Sequence, residues 1–239
     1  PERTIAIVQA RMGSSRLPGK MMMDLSGKPV LHWVLSRVKR AKQIDSIWLA
    51  TSDTQKDNPL EELAKKLNVP VYRGSESDVL GRFVATAKLA ETDHVVRVCG
   101  DNPLIANEEI DRLVKFYKIL LKENNNQKNL YAFNFASKMG NQYPDGLGAE
   151  ILSFSLLNKI SELDNSPSSR EHVTKYIWDH PEQFAIRTLP APKEIAYPTV
   201  KLDLDSWQDL KKLNLVCSHL KEDSSPEKII QVYIKQFGL

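Results

Sequence analysis

At 239 residues, of which 41% are hydrophobic and 26% charged, the chain is long enough to bury a substantial core in one large domain. Its 33 basic residues outnumber its 30 acidic ones only slightly and lie scattered, with no basic run interleaved with aromatics, which argues against a nucleic-acid partner. Two distant cysteines, Cys99 and Cys217, fit neither a disulfide framework nor a metal spacing, no apolar run approaches membrane-spanning length, and no leader pattern precedes the first strand; the expectation is a cytoplasmic protein without a membrane partner.

In chain order, apolar periodicity predicts a strand over 4–9, an amphipathic helix over 30–40, a strand over 46–51 and a helix over 58–67. A strand over 69–72, a helix over 77–90 and a strand over 94–99 continue the same rhythm. Alternation of this kind predicts a mostly parallel sheet covered by helices. Ligands of open α/β sheets bind at the carboxyl edge, which here carries Gln9, Ala10, Asp53, Arg73 and Asp101. A helix over 107–123 follows, ended by the polar run 124–129, which reads as a surface turn. Beyond Tyr131 the pattern breaks into short apolar pieces: a strand over 149–154, a helix over 168–179, and strands over 184–189 and 200–204. Helices over 207–220 and 226–237 close the chain. No internal repeat occurs.

The first strand runs into a Gly/Ser loop bearing Arg11, Arg16 and Lys20. It matches neither the dinucleotide nor the Walker glycine signature. Its residue types still suit a polyphosphate: the backbone N–H groups of Met12, Gly13, Ser14 and Ser15 can approach oxygens closely, and three long cations converge on one region. The competing reading is a basic surface turn, and the loop's place at the carboxyl end of a strand favours the anion site. Asp101 ends the 94–99 strand at its exposed tip, where a carboxylate can bind Mg²⁺ or open the turn before Pro103. In an extended segment Asp203 and Asp205 share one face, and a divalent cation would relieve their repulsion. Alternatively Asp205 or Ser206 caps the helix that begins near Trp207.

Several segments together resemble one family. Gln9–Lys20 (QARMGSSRLPGK), Gly27–Leu31 (GKPVL), Tyr72–Leu80 (YRGSESDVL), Gly100–Ile105 (GDNPLI), Ser169–Thr174 (SREHVT) and Leu202–Leu210 resemble cytidylyltransferases of the spore-coat polysaccharide type. More distantly the chain is similar to the enzymes that make CMP-sialic acid and CMP-3-deoxy-manno-octulosonate. It differs from those at Cys99, where they carry a Gln near the base, and from closer relatives at Gly81, where Asp is usual. The resemblance implies a three-layer α/β/α, GT-A-like nucleotidyltransferase spanning 1–239, with subregion 131–200 serving the acceptor and dimerisation. It implies transfer of CMP from CTP to an acidic sugar, with pyrophosphate released, Mg²⁺ as cofactor and a homodimer as the assembly.

On the matching motifs, Arg11, Ser14, Arg16 and Lys20 would hold the triphosphate, Gln9 and Ala10 would lie beside the base, and Arg73 near the cytosine. Asp101 and Asp205, joined by Asp203, would bind metal. For the acceptor, Glu150 and His172 would contact the sugar and Arg170 its carboxylate; capping of a helix start and an interior His are the structural alternatives. A GT-A glycosyltransferase using a nucleotide-sugar is the competing function, but such an enzyme has no terminal phosphate for the cationic loop to hold.

Overall fold

The computed structural model describes residues 1–125 and 127–239. Its strands are β1 (Thr4–Gln9), a small hairpin of β2 (Asp24–Leu25) and β3 (Lys28–Pro29), then β4 (Ser46–Ser52), β5 (Val71–Gly74), β6 (His94–Cys99), β7 (Leu130–Phe133), β8 (Glu150–Ser153) and β9 (Ala185–Thr188). Its α-helices are α1 (Val30–Val38), α2 (Asn58–Lys66), α3 (Val79–Leu89), α4 (Asn107–Glu123), α5 (Phe154–Leu163), α6 (Pro167–Glu171), α7 (Lys175–Asp179), α8 (Trp207–Cys217) and α9 (Pro226–Phe237). Seven strands form one sheet in the order β5-β4-β1-β6-β8-β7-β9. Only β8 runs against its neighbours, so the sheet is mostly parallel.

The unbroken apolar run of β1 follows from burial on both faces. Ala6 and Val8 pack into the core shared with α1, α2, α4, α8 and α9, whereas Ile5 and Ile7 pack into the core shared with α3, α5 and α7. Two-residue periodicity thus divides one strand between two helical layers, giving the α/β/α sandwich. At the carboxyl edge, Gly100 follows β6 and its N–H donates to the Gln9 carbonyl at 2.8 Å. A Cβ at this glycine would stand 2.7 Å from the same oxygen, so only the bare backbone lets the tips of β1 and β6 close together.

Three expectations are corrected. The strand predicted over 200–204 is an extended strap with a single bridge, Lys201 to Asp145, because its neighbours on either side are loops rather than strands. The helix predicted over 168–179 divides into α6 and α7 at His172, whose φ of −107° and ψ of 83° leave the helical region. The β-branched Val173 and Thr174 follow, and the Thr174 hydroxyl turns to Glu150 at 2.7 Å instead of facing solvent. Helix α5 was missed, although Ser153 caps it by accepting from the Leu156 N–H, and Leu156, Leu157 and Ile160 keep helical spacing. The predicted turn over 124–129 includes Asn126, which lies outside the described residues.

Arg37, fully buried on α1, fastens the C-terminal layer to this frame. Its Nε donates to the Ile105 carbonyl at 2.7 Å, and its Nη1 donates to the carbonyls of Glu222 (2.7 Å) and Ser224 (3.1 Å). Arg37→Met keeps the volume but strands these acceptors, and should lower the unfolding free energy by about 3 kcal/mol in urea denaturation. An unchanged midpoint would show that the bonds contribute nothing to the docking of this layer.

Candidate active site

The loop after β1 is built around a buried carboxylate. Asp57, fully buried, accepts the Met12 N–H at 2.8 Å and also the hydroxyls of Thr51 and Ser52 at the end of β4. The Met12 carbonyl in turn accepts from Ser14 and Gly19 N–H at 3.0 Å each, and Leu17 inserts into the core. Fixed in this way, the loop holds its long cations over a cleft of about 340 Å³ at the carboxyl ends of β1 and β6.

Of the residues singled out from the sequence, Gln9, Ala10, Arg11, Ser14, Arg16, Lys20, Asp101, His172 and Asp205 line this cleft. Lys20 lies on its floor, nearly buried, with Nζ 2.8 Å from Asp101 Oδ1 and donating to the Leu204 carbonyl at 3.1 Å. Arg11 reaches across to Glu76 (3.4 Å) and Glu171 (3.8 Å), while Arg16 is exposed at the rim. Gly13 stands behind the lining, where a Cβ would meet Glu76 Oε1 at 2.8 Å.

Four expected residues stand elsewhere. Arg73 does not reach the cleft: it donates to the carbonyls of Ser52 (2.8 Å) and Thr54 (2.6 Å) and pairs with Glu61 at 3.0 Å, clamping β5 to the start of α2. Arg170 donates to both carboxylate oxygens of Asp78 and to the Ser161 carbonyl, so its guanidinium fastens α6 onto α3 and α5. Glu150 is buried opposite Arg97 in the β6–β8 register and accepts from Arg97 (2.5 Å), Tyr131 and Thr174. Asp203 is off the cleft wall and pairs with Lys201 Nζ at 3.5 Å, with its Oδ1 buried and without a hydrogen-bond partner. Among the described residues no three His, Cys, Asp or Glu side chains gather into one metal-holding group, and of the three aspartates Asp101 and Asp205 line the cleft.

The electrostatics follow the packing. Burial, and then the hydrogen bond with Asp205, push the Asp203 carboxyl up to about 6. For Asp205 the bond from Asp203 and the charges of Lys201 and Lys20 outweigh burial and hold it below the usual carboxylate range. Burial, reinforced by Asp101, pushes the Cys99 thiol up to about 12, so Cys99 is a passive part of the wall.

Two arginines on the cleft were missed. Arg97 interrupts the apolar run of β6, and its Nε donates to Gln9 Oε1 at 3.0 Å. Burial works against its charge, but Glu150 outweighs burial and raises its pKa. Arg82 on α3 is nearly buried and donates to the carbonyls of Ser75 and Glu76. A signal existed for Arg97: one cation in apolar β6 and one anion, Glu150, in apolar β8 each require a buried partner.

A family model described as cytidylyltransferase matches residues 5–225. The spore coat polysaccharide biosynthesis protein SpsF of Bacillus subtilis is 32% identical over 212 residues, covering 87% of this chain and 83% of that protein. The 3-deoxy-manno-octulosonate cytidylyltransferase 2 of Hydrogenovibrio crunogenus is 24% identical over 217 residues, covering 88% and 83%. A solved cytidylyltransferase from Leptospira borgpetersenii superposes with a TM-score of 0.88 at 30% identity, over 99% of this chain and 95% of that one.

Lys20→Met should lower the unfolding free energy by about 1–3 kcal/mol in urea denaturation, because the Leu204 carbonyl loses its donor and Asp101 its counter-charge. Wild-type stability would show that Lys20 does not brace the floor of the cleft. At Asp78, burial raises the carboxyl pKa, but the bonds from Arg170 and the Gly81 N–H outweigh it and hold the group below its ordinary value. A depressed folded pKa means stabilisation that is complete above the unfolded value of about 4 and lost as pH falls through the folded one. The stability gap between wild type and Asp78→Asn should therefore be full at pH 7 and shrink below about pH 4. A gap equal at pH 3 and pH 7 would show that the carboxylate charge does not hold the clamp.

Proposed function

The chain belongs to the cytidylyltransferase family, and from that premise we propose that it transfers CMP from CTP to a hydroxyl of an acidic sugar, releasing pyrophosphate. The observation that carries this reading is one cleft with a cationic loop on one side, Asp101 and Asp205 on the other, and Lys20 between them. A relative that acts on 3-deoxy-manno-octulosonate supports the acceptor class. A glycosyltransferase is disfavoured because a nucleotide-sugar brings no terminal phosphate to Arg11 and Arg16.

In this reading Arg11, Arg16, Lys20 and the loop amides from Met12 to Ser15 take the β- and γ-phosphates, and Gln9 and Ala10 border the base. Arg11 exchanges Glu76 and Glu171 for phosphate oxygens. The acceptor hydroxyl attacks the α-phosphorus in line: its oxygen bonds to phosphorus as its proton passes to solvent, the bond from the α-phosphorus to the oxygen bridging it to the β-phosphorus breaks, and pyrophosphate departs with that oxygen toward the cationic loop. Lys20 also holds the Asp101 carboxylate in place and takes no covalent part.

The donor set suits Mg²⁺, which is commonly held by one or two carboxylates together with substrate phosphates. Asp101 and Asp205 would hold it, with Asp203 two positions from Asp205 along the strap. When bound, the ion would neutralise phosphate charge and lower the pKa of the acceptor hydroxyl. Homodimerisation through residues 131–200 and a cytoplasmic location belong to the same reading. Among the described residues no helix is long and apolar enough to cross a membrane.

Incubation with CTP, Mg²⁺ and a panel of sugar acids should release pyrophosphate stoichiometric with a CMP-linked product. Asp101→Asn should lower turnover by about 100-fold or more while keeping the wild-type circular dichroism spectrum. Full activity of this variant would remove Asp101 from the site. Hydrolysis of a nucleotide-sugar without pyrophosphate from any acceptor would favour the glycosyltransferase.

A further inference from the structure

A second cavity, of about 360 Å³, adjoins the cleft and shares two of its lining residues, Arg97 and His172. Its volume lies in the range of small-molecule sites. The polar residues expected to recognise the acceptor are largely committed elsewhere: Glu150 already accepts from three donors, and Arg170 is locked to Asp78 and Ser161. Lys175, which also lines the cavity, pairs with Asp179.

Lys138 is different. Its Nζ stands 4.2 Å from the centre of the Trp178 ring and 5.2 Å from that of Phe135, and among the described residues it has no carboxylate within 4.0 Å. Both rings line the same cavity. An ammonium held over aromatic faces keeps its full charge toward a ligand, since a ring quadrupole does not neutralise it as a carboxylate would.

The loop that presents Lys138 is fixed. Asn141, nearly buried, accepts the Lys138 N–H at 3.2 Å and the Tyr143 N–H at 3.0 Å, and donates to the Ala136 carbonyl and the Thr188 hydroxyl at 3.0 Å each. The reversal is made by Met139 and Gly140, at φ of 54° and 73°. The cavity therefore has a cation over an aromatic wall at one side, and at its junction with the cleft an arginine and a histidine.

We propose that this second cavity is the acceptor subsite and that Lys138 selects an anionic sugar there, binding its carboxylate or phosphate while the apolar face of the sugar lies on Trp178 and Phe135. The proposal rests on the cytidylyltransferase reading above and adds to it where the acceptor sits and which residue demands its charge. The acceptor's attacking hydroxyl lies at the Arg97–His172 junction, next to the α-phosphate of CTP. Arg97, anchored by Glu150 and Gln9, is a positioning cation there, and Lys138 is the determinant of charge.

The test uses the full chain with CTP and Mg²⁺. Tryptophan fluorescence is titrated with 3-deoxy-manno-octulosonate and N-acetylneuraminate as carboxylates, glucose 6-phosphate as a phosphate, and N-acetylglucosamine as a neutral sugar, while CTP binding is followed by calorimetry. Wild type should bind at least one anionic probe and not the neutral one, and the responding probe identifies the anion. Lys138→Met, which keeps the apolar stem over the rings, should weaken that probe about 10-fold or more and leave CTP affinity unchanged. Lys138→Arg should restore most of the loss. Trp178→Phe should abolish most of the fluorescence response while calorimetry still detects the sugar.

Equal anion affinity in Lys138→Met, equal binding of the neutral sugar, or no binding of any anionic probe to a protein that binds CTP would overturn the proposal and leave the nucleotide reading standing. Absence of CTP binding in wild type would overturn both.

Discussion

A buried ammonium ion organises this molecule. Lys20 Nζ is almost removed from water, and such a charge is tolerable only where it is paired and hydrogen-bonded. Its partners are the Asp101 carboxylate at the tip of β6 and the Leu204 carbonyl on the C-terminal strap. The strap is bound further by Leu204 N–H to the Asp101 carbonyl at 2.8 Å and by Leu202 N–H to the Asp145 carbonyl at 3.0 Å. One cation therefore joins the loop after β1, the end of β6 and the segment that carries Asp205. The bare backbone of Gly100 allows that convergence.

The remaining cations near the cleft obey the same constraint in different ways. Arg11 is met by Glu76 and Glu171, Arg97 by Glu150, and Arg170 by Asp78. Arg82 uses backbone carbonyls instead. These pairings let a strongly cationic site fold without a ligand, and they separate the arginines into two kinds. Those fastened bidentately or from three sides, Arg73 and Arg170, join elements of the scaffold; those held at one edge, such as Arg11, can exchange partners. The long Arg11–Glu171 contact of 3.8 Å, with both side chains well exposed, is a screened and weak interaction.

The layered sheet was legible because both-face burial leaves its mark directly on composition. β1, β6, α4 and α9 have the boundaries that periodicity predicts. The position of the cationic loop was legible for a related reason, since Arg11, Arg16 and Lys20 follow a strand whose carboxyl end must be an edge. Arg73 was misplaced because its motif says nothing of Ser52, Thr54 and Glu61, which arrive from other elements and take up its donors. The strap over 200–204 alternates like a strand, yet whether such a segment joins a sheet depends on its neighbours, which single-chain periodicity does not contain. The break at His172 is accompanied by an equally non-local contact, the bond from the Thr174 hydroxyl to buried Glu150.

Lys20 and Leu204, joined by one hydrogen bond, are 184 positions apart in the chain. Contacts of such separation close late, because the entropy of the intervening loop must first be overcome. During synthesis the N-terminal strands and their cationic loop emerge well before the strap that completes the floor beneath them. A partly made chain thus has the cationic loop but no Asp205 to face it. The cleft is therefore closed only once a segment made long after its first wall has docked beneath the loop.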